Sequence, residues 1–129
     1  METEAAFKVE QFMRREFGLS PTEASADLCG SVLRVTLENA VSPMGRVIAR
    51  AQGGGAVLSD VYAILHDVNQ DRMHALVSRI LGVSIRQSMI EADLPTWDVS
   101  VTFRLGGLPL TEARHVSAAD ADMAPPCLK

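Results

Sequence analysis

The chain has 129 residues and a formal net charge of −4, with 47% hydrophobic and 22% charged residues; these are the proportions of a soluble globular domain long enough to bury a core without staples. The acidic balance, with Arg14 and Arg15 the only adjacent basic pair, argues against nucleic acid or an anionic membrane as the main partner, since both call for a basic surface. Aromatic residues make up only 5%, so the core has to be aliphatic.

Near the start, METEAAFKVEQF lacks the basic and apolar regions of a signal peptide, and no stretch approaches the ~20 apolar residues of a membrane-spanning helix. The expected location is therefore cytoplasmic, without direct membrane insertion. Cys29 and Cys127 are the only cysteines. Their number and spacing exclude a cysteine-based zinc site, and Cys127 falls in a segment with no regular pattern, so no stable disulfide is expected.

Ala6, Val9, Phe12, Met13 and Phe17 recur at helical spacing and predict a helix over residues 3–17, with Thr3 as N-cap and Gly18 and Pro21 ending it. Residues 31–37 alternate: Leu33, Val35 and Leu37 lie on one face, Arg34 and Thr36 on the other. This predicts a half-buried strand, and residues 23–28 read as its hairpin partner. Ser42-Pro43 then reads as the start of a short helix over 43–52, with Ser as N-cap and Pro at the first helical position. Gly53-Gly54-Gly55 follows. It lacks the Lys-Ser/Thr of a phosphate loop and does not follow a strand, so a flexible hinge between helices is the better reading.

A long helix is predicted over 57–81. Leu58, Val61, Leu65, Val68, Met73, Leu76 and Ile80 mark its apolar face, and Asp60, Asp67, Asp71, His74 and Ser78 the opposite one. Asn69 and Arg72 interrupt the apolar face. An unpaired buried Arg is too costly, so they mark a sheet edge or subunit interface, a break in the helix, or a pocket, in that order. After Gly82, residues 83–90 alternate with Val83, Ile85 and Met89 on one side. Residues 91–96 form a turn, and 97–105 form the cleanest strand, with Trp97, Val99, Val101, Phe103 and Leu105 facing one way. Residues 111–129 have no sustained period and predict a mobile tail that includes His115.

Chemistry-bearing constellations are sparse. Asp67, Asp71 and His74 share one side of the long helix and are the best metal candidates. That side is also the solvent face, where such residues belong without a ligand. Cys29 beside Gly30 reads as a structural cysteine rather than a nucleophile, and Glu91 and Asp93 as an acidic turn rather than a catalytic pair.

Four landmarks occur in order. They are Glu16-Phe17-Gly18-Leu19-Ser20-Pro21 at the exit of the first helix, Val41-Ser42-Pro43 at a helix start, Gly82-Val83 after the long helix, and Val101-Thr102-Phe103-Arg104-Leu105 in the closing strand. In order and spacing they resemble the MpsC-like family of small bacterial proteins, named for a membrane-potential-generating system. The likeness covers about residues 7–105. This chain departs from the family pattern at Met44-Gly45-Arg46, where the family has an acidic residue after the Pro, and in its triple glycine and long tail. The resemblance carries over no catalytic residues. It implies a small accessory protein linked to an ion or bicarbonate transport system.

The expected architecture is α+β: a four-stranded, mainly antiparallel sheet of two hairpins, two main helices packed on one face and a short extra helix, forming one domain over 1–110. The leading functional expectation is a non-enzymatic accessory or regulatory protein without cofactor. It would be a homo-oligomer, as a dimer, acting on a protein partner through a sheet edge or the Asn69/Arg72 flank. The rival is a small-molecule or anion sensor using Arg34, Arg86 and Arg104. A metal- or cysteine-dependent enzyme ranks third.

Overall fold

The computed structural model describes residues 2–107. The expected tail, with His115 and Cys127, lies outside the described residues. In chain order the elements are α1 (Glu2–Glu16), β1 (Glu23–Cys29), β2 (Val32–Glu38), α2 (Pro43–Arg50), α3 (Gly54–Leu81), β3 (Ile85–Asp93) and β4 (Asp98–Leu105). The strands form one antiparallel sheet in the order β1-β2-β4-β3. The α+β architecture is the one its alternating and helical patterns predict.

Both hairpins present their apolar alternation to the helices. Leu33, Val35 and Leu37 from β2 and Val99, Val101 and Phe103 from β4 are completely buried, packed against Val9 and Met13 of α1 and Met73 and Val77 of α3. Burying each such side chain contributes about 1.5–3 kcal/mol. The helix starts follow local chemistry. Ser42 Oγ accepts the N–H of Gly45 at 3.2 Å, with Pro43 in the first turn of α2. At the other end of α1, Gly18 is left-handed and Leu19 N–H reaches back to Met13 O at 3.4 Å, closing the helix as a C-terminal glycine does. Thr3 is not the cap of α1, which already includes Glu2; the Glu2 carboxylate instead accepts the N–H of Leu28 at 3.0 Å and ties α1 to β1.

Three local expectations are corrected. The triple glycine is a tight corner, not a loose hinge: Gly53 is left-handed (φ 74°) and Gly54 opens α3 directly, so close to α2 that a Cβ there would stand 1.6 Å from Ile48 O. Trp97 belongs to the turn and not to β4. Its φ is 62°, and its ring lies under the guanidinium groups of Arg46 and Arg50. The third correction is in β3, where a bulge between Ile85 and Gln87 resets the alternation. One extra residue moves every following side chain to the other face. Met89 therefore points away from the helices, while Ser88, Ile90 and Ala92 point toward them, with Ser88 opposite Phe103.

Cys29 also departs from expectation, because it is disulfide-bonded rather than a free thiol.

Candidate interaction surface

The apolar face of α3 divides into two faces. Leu58, Tyr62, His66, Asn69, Met73, Val77 and Leu81 are buried against the sheet and α1. Val61 and Val68, which periodicity had grouped with Leu58 and Met73, are exposed instead, together with Val57 and Ile64. These four recur at spacings of four, three and four residues, which places them in one stripe roughly 140° around the helix from the core. Their exposures run from 39% at Val61 to 73% at Val68. Met44 and Val47 of the adjoining α2 are exposed as well. Helix periodicity misled here because α3 is apolar on both sides over its first half, and a helix apolar all round belongs in a buried setting.

Charges flank the stripe. Asp60 and Asp67 lie on one side of α3, Arg72 and Arg79 on the other. Arg72 also borders a groove of about 420 Å³ between α1 and α3, lined by Lys8, Arg15 and Arg79 around Phe12.

Asn69 and Arg72 sit on an unbroken helix. Asn69 is 3% exposed and bonded at both ends of its amide: Nδ2 donates to Leu65 O at 2.8 Å, and Oδ1 accepts from Arg72 Nη2. The Arg72 guanidinium stays at the surface, donates to Glu16 Oε1 at 2.8 Å and lies over the Phe12 ring. Hydrogen bonds from Arg72 and then Arg15 hold the Glu16 carboxyl below its ordinary pKa. The two residues that break the amphipathic rule thus clamp α3 to the end of α1, and Arg72 escapes the cost of burial by reaching the edge.

Arg34 and Arg104 share the outer face of the sheet on neighbouring strands, and Arg86 falls in the bulge of β3. Arg34 Nε is buried with no hydrogen-bond partner among the described residues. The groove beside it, about 540 Å³, is lined by Glu91, Asp93 and Asp98 as well as Thr36 and Ser100. An anion there would meet three carboxylates next to one guanidinium. Across the same end of the sheet Glu23 faces Glu38, with Asp98 close by, and the shared hydrogen bond and repulsion from Glu23 push the Glu38 carboxyl up.

Asp67, Asp71 and His74 do not come together as a metal set. Asp67 points into solvent, and His74 turns under the sheet edge to Ser88. Among the described residues no group of three or more His, Cys, Asp or Glu side chains is placed to hold a metal ion.

The fold and this surface define a two-layer α+β domain with one helix face left apolar and uncovered by the described residues. No helix among the described residues is long and apolar enough to cross a membrane. The family model described as "Na+-translocating membrane potential-generating system (MpsC)" matches residues 1–106, and the chain belongs to that family. Comparisons with curated proteins and with solved structures find no match.

Proposed function

We propose that the protein is a non-enzymatic, cytoplasmic accessory subunit that works as a homodimer alongside a membrane ion-transport system. The observation that carries the protein–protein part is the stripe Val57, Val61, Ile64 and Val68. The family description supports the link to transport.

A second copy is the occupant that the stripe fits. Its four–three–four spacing is that of a helix-pairing seam, with Val61 and Val68 at one seam position and Val57 and Ile64 at the other. In a parallel, in-register pair each apolar residue meets its own counterpart. The acidic flank of one helix then faces the basic flank of the other, which brings Asp67 to Arg72 of the second copy. Covering four side chains at these exposures contributes about 3–6 kcal/mol per protomer. For two protomers that is comparable with the ~4–15 kcal/mol cost of association, so the dimer is weak and reaches a micromolar Kd only at the favourable end of both ranges.

Sedimentation over a wide concentration range tests this. A concentration-dependent dimer is expected for the native chain and a monomer for Ile64→Asp. Val68→Cys is expected to cross-link between chains under mild oxidation, as an in-register pair requires. A native chain that stays monomeric at the highest concentrations, or an Ile64→Asp variant that still dimerises, refutes the interface.

An anion-binding reading has a second place among the described residues. The α1–α3 groove is lined by Lys8, Arg15, Arg72 and Arg79; although the Glu16 carboxylate already accepts from Arg72 and Arg15, the groove holds more cations per carboxylate than the predicted Arg34, Arg86 and Arg104 set. A thermal-shift series with phosphate and bicarbonate, run on the native chain and Arg79→Ala, checks it by mass action.

A further inference from the structure

The groove between α1 and α3 gathers positive charge on a chain whose net charge is −4. Each helix lays down a row of the same pattern: a cation, an apolar residue, a cation. The rows are Lys8, Phe12 and Arg15 on α1, and Arg72, Leu76 and Arg79 on α3. In both the spacing is four and then three residues, which keeps each row on one helix face. Phe12 is the floor. It is 5% exposed, and the guanidinium groups of Arg15 and Arg72 lie 5.7 and 5.6 Å from its ring centre.

Arg15 and Arg72 are held in place. The Glu16 carboxylate takes one guanidinium on each oxygen, Arg72 Nη2 on Oε1 at 2.8 Å and Arg15 Nε on Oε2 at 3.0 Å. Among the described residues Arg15 commits only Nε, and Arg72 only Nη2, to hydrogen bonds, so most of the N–H donors on each remain open. Lys8 and Arg79 form no ion pair among the described residues.

The spread of these charges decides what fits. Lys8 and Arg15 are seven residues apart, about 10 Å along the helix, as are Arg72 and Arg79. Phe12 and Leu76 lie between the charged ends. One phosphate or bicarbonate reaches one end and leaves the other unpaired. A nucleic-acid strand fits poorly too, because Phe12 is too deeply buried to stack a base, and an acidic chain repels a polyanion beyond the groove. A short segment with carboxylates at the separation of the cations, and an apolar side chain between them, matches both rows.

We propose that the α1–α3 groove docks a short acidic segment of a partner protein, with its carboxylates on the four cations and one apolar side chain over Phe12 and Leu76. The inference rests on the reading of this groove as an anion site, and puts a peptide with several carboxylates in place of a single small anion. Guanidinium groups already fixed by Glu16 lose little freedom on docking, and their hydrogen bonds to carboxylates are of the strong, charge-assisted kind.

The probe is a fluorescein-labelled peptide of three Glu-Glu-Leu-Glu repeats, titrated with the native full chain and read by anisotropy, with Ile64→Asp alongside to keep the chain monomeric. Saturable binding is expected, weakened at least ~10-fold in Lys8→Glu/Arg79→Glu and reduced by added salt. It is expected to be unchanged in Arg86→Glu/Arg104→Glu, which alters the net charge equally elsewhere, and absent for the same peptide with Gln in place of Glu. Absence of saturable binding overturns the inference, as does equal weakening in the two double variants. A thermal shift with phosphate but no peptide binding also overturns it and leaves the small-anion reading standing. Peptide binding without a phosphate shift supports it. A short oligothymidylate and vesicles of phosphatidylcholine with phosphatidylserine are run in parallel. Tighter binding of either, lost in Lys8→Glu/Arg79→Glu, assigns the groove to that ligand and overturns the inference. Circular dichroism checks that the variants fold. If Lys8→Glu/Arg79→Glu does not, peptide-induced NMR shifts in the native chain decide. Shifts centred on Lys8, Phe12, Leu76 and Arg79 support the site, and shifts confined to other faces overturn it.

Discussion

Gly54 shows how much a single residue constrains the corner between α2 and α3. A methyl group at this position would collide with the Ile48 carbonyl, which is backbone and cannot swing aside. Gly54→Ala is therefore expected to destabilise the fold by more than about 3 kcal/mol. Gly53→Ala meets no atom within 4 Å and pays only for its left-handed φ, about 1–2 kcal/mol. Chemical denaturation of the two variants tests that order, and a reversed order would mean the corner is not closed as described. A run of three glycines announces backbone freedom in the sequence but does not say which one is used for a left-handed turn and which for close approach. That depends on where α2 lies. Asn69 is a similar case. The sequence flags it as a misfit, and only its bonds to Leu65 O and Arg72 turn the misfit into a clamp.

At the scale of elements, α3 carries the clearest contrast. Met73 and Val68 belong to one face by periodicity, yet Met73 is buried and Val68 is the most exposed of the stripe. Measured at dilute, monomeric concentrations, Met73→Ala is expected to cost about 2–5 kcal/mol, and Val68→Ala less than about 0.5 kcal/mol. Comparable losses at the two sites would contradict the division of faces. Under the proposed dimerisation the Val68→Ala effect is expected to grow with concentration, because the native state would then gain stability by association. The sheet elements were easier to read. β2 and β4 alternate without interruption because one face of each is dry and the other wet. Beyond its bulge β3 departs from the expected faces, because alternation carries no mark of an inserted residue. This is why the sequence alone did not bring Ser88 to His66 and His74.

For the whole molecule, opposed carboxylates and histidines set the response to pH. His74 has a depressed pKa in the fold, so its contribution is present above the ordinary histidine range and is lost as pH falls through that range and below. Glu16 is also depressed, chiefly by its hydrogen bond from Arg72. Its contribution is present above the ordinary carboxylate pKa and is lost as pH falls through the lowered value. Glu38 acts in the opposite sense. Its pKa is raised by Glu23, so the protonated form favours the fold, and that contribution is lost as pH rises through the raised value. Melting temperature is expected to fall between pH 7 and 5 as His74 takes up a proton, and His74→Gln is expected to flatten that limb. Glu23→Gln is expected to raise the melting temperature at pH 7, with the gain disappearing in acid. A Glu23→Gln gain that persists unchanged at low pH would show that repulsion with Glu38 is not its cause.

The sequence by itself determined the elements, the hairpin alternation, the start of α2 at Ser42-Pro43 and the family landmarks. These follow from local chemistry: caps, prolines, glycines and the two periods of helix and strand. Tertiary structure decided which of two apolar faces of α3 is core, which glycine closes the corner, and which side chains of β3 look inward. The physical reason is the same in each case. A periodic pattern reports that a side chain is apolar or polar, but burial depends on what another element, distant in the chain, lays against it. The apolar stripe of α3 is covered by none of the described residues.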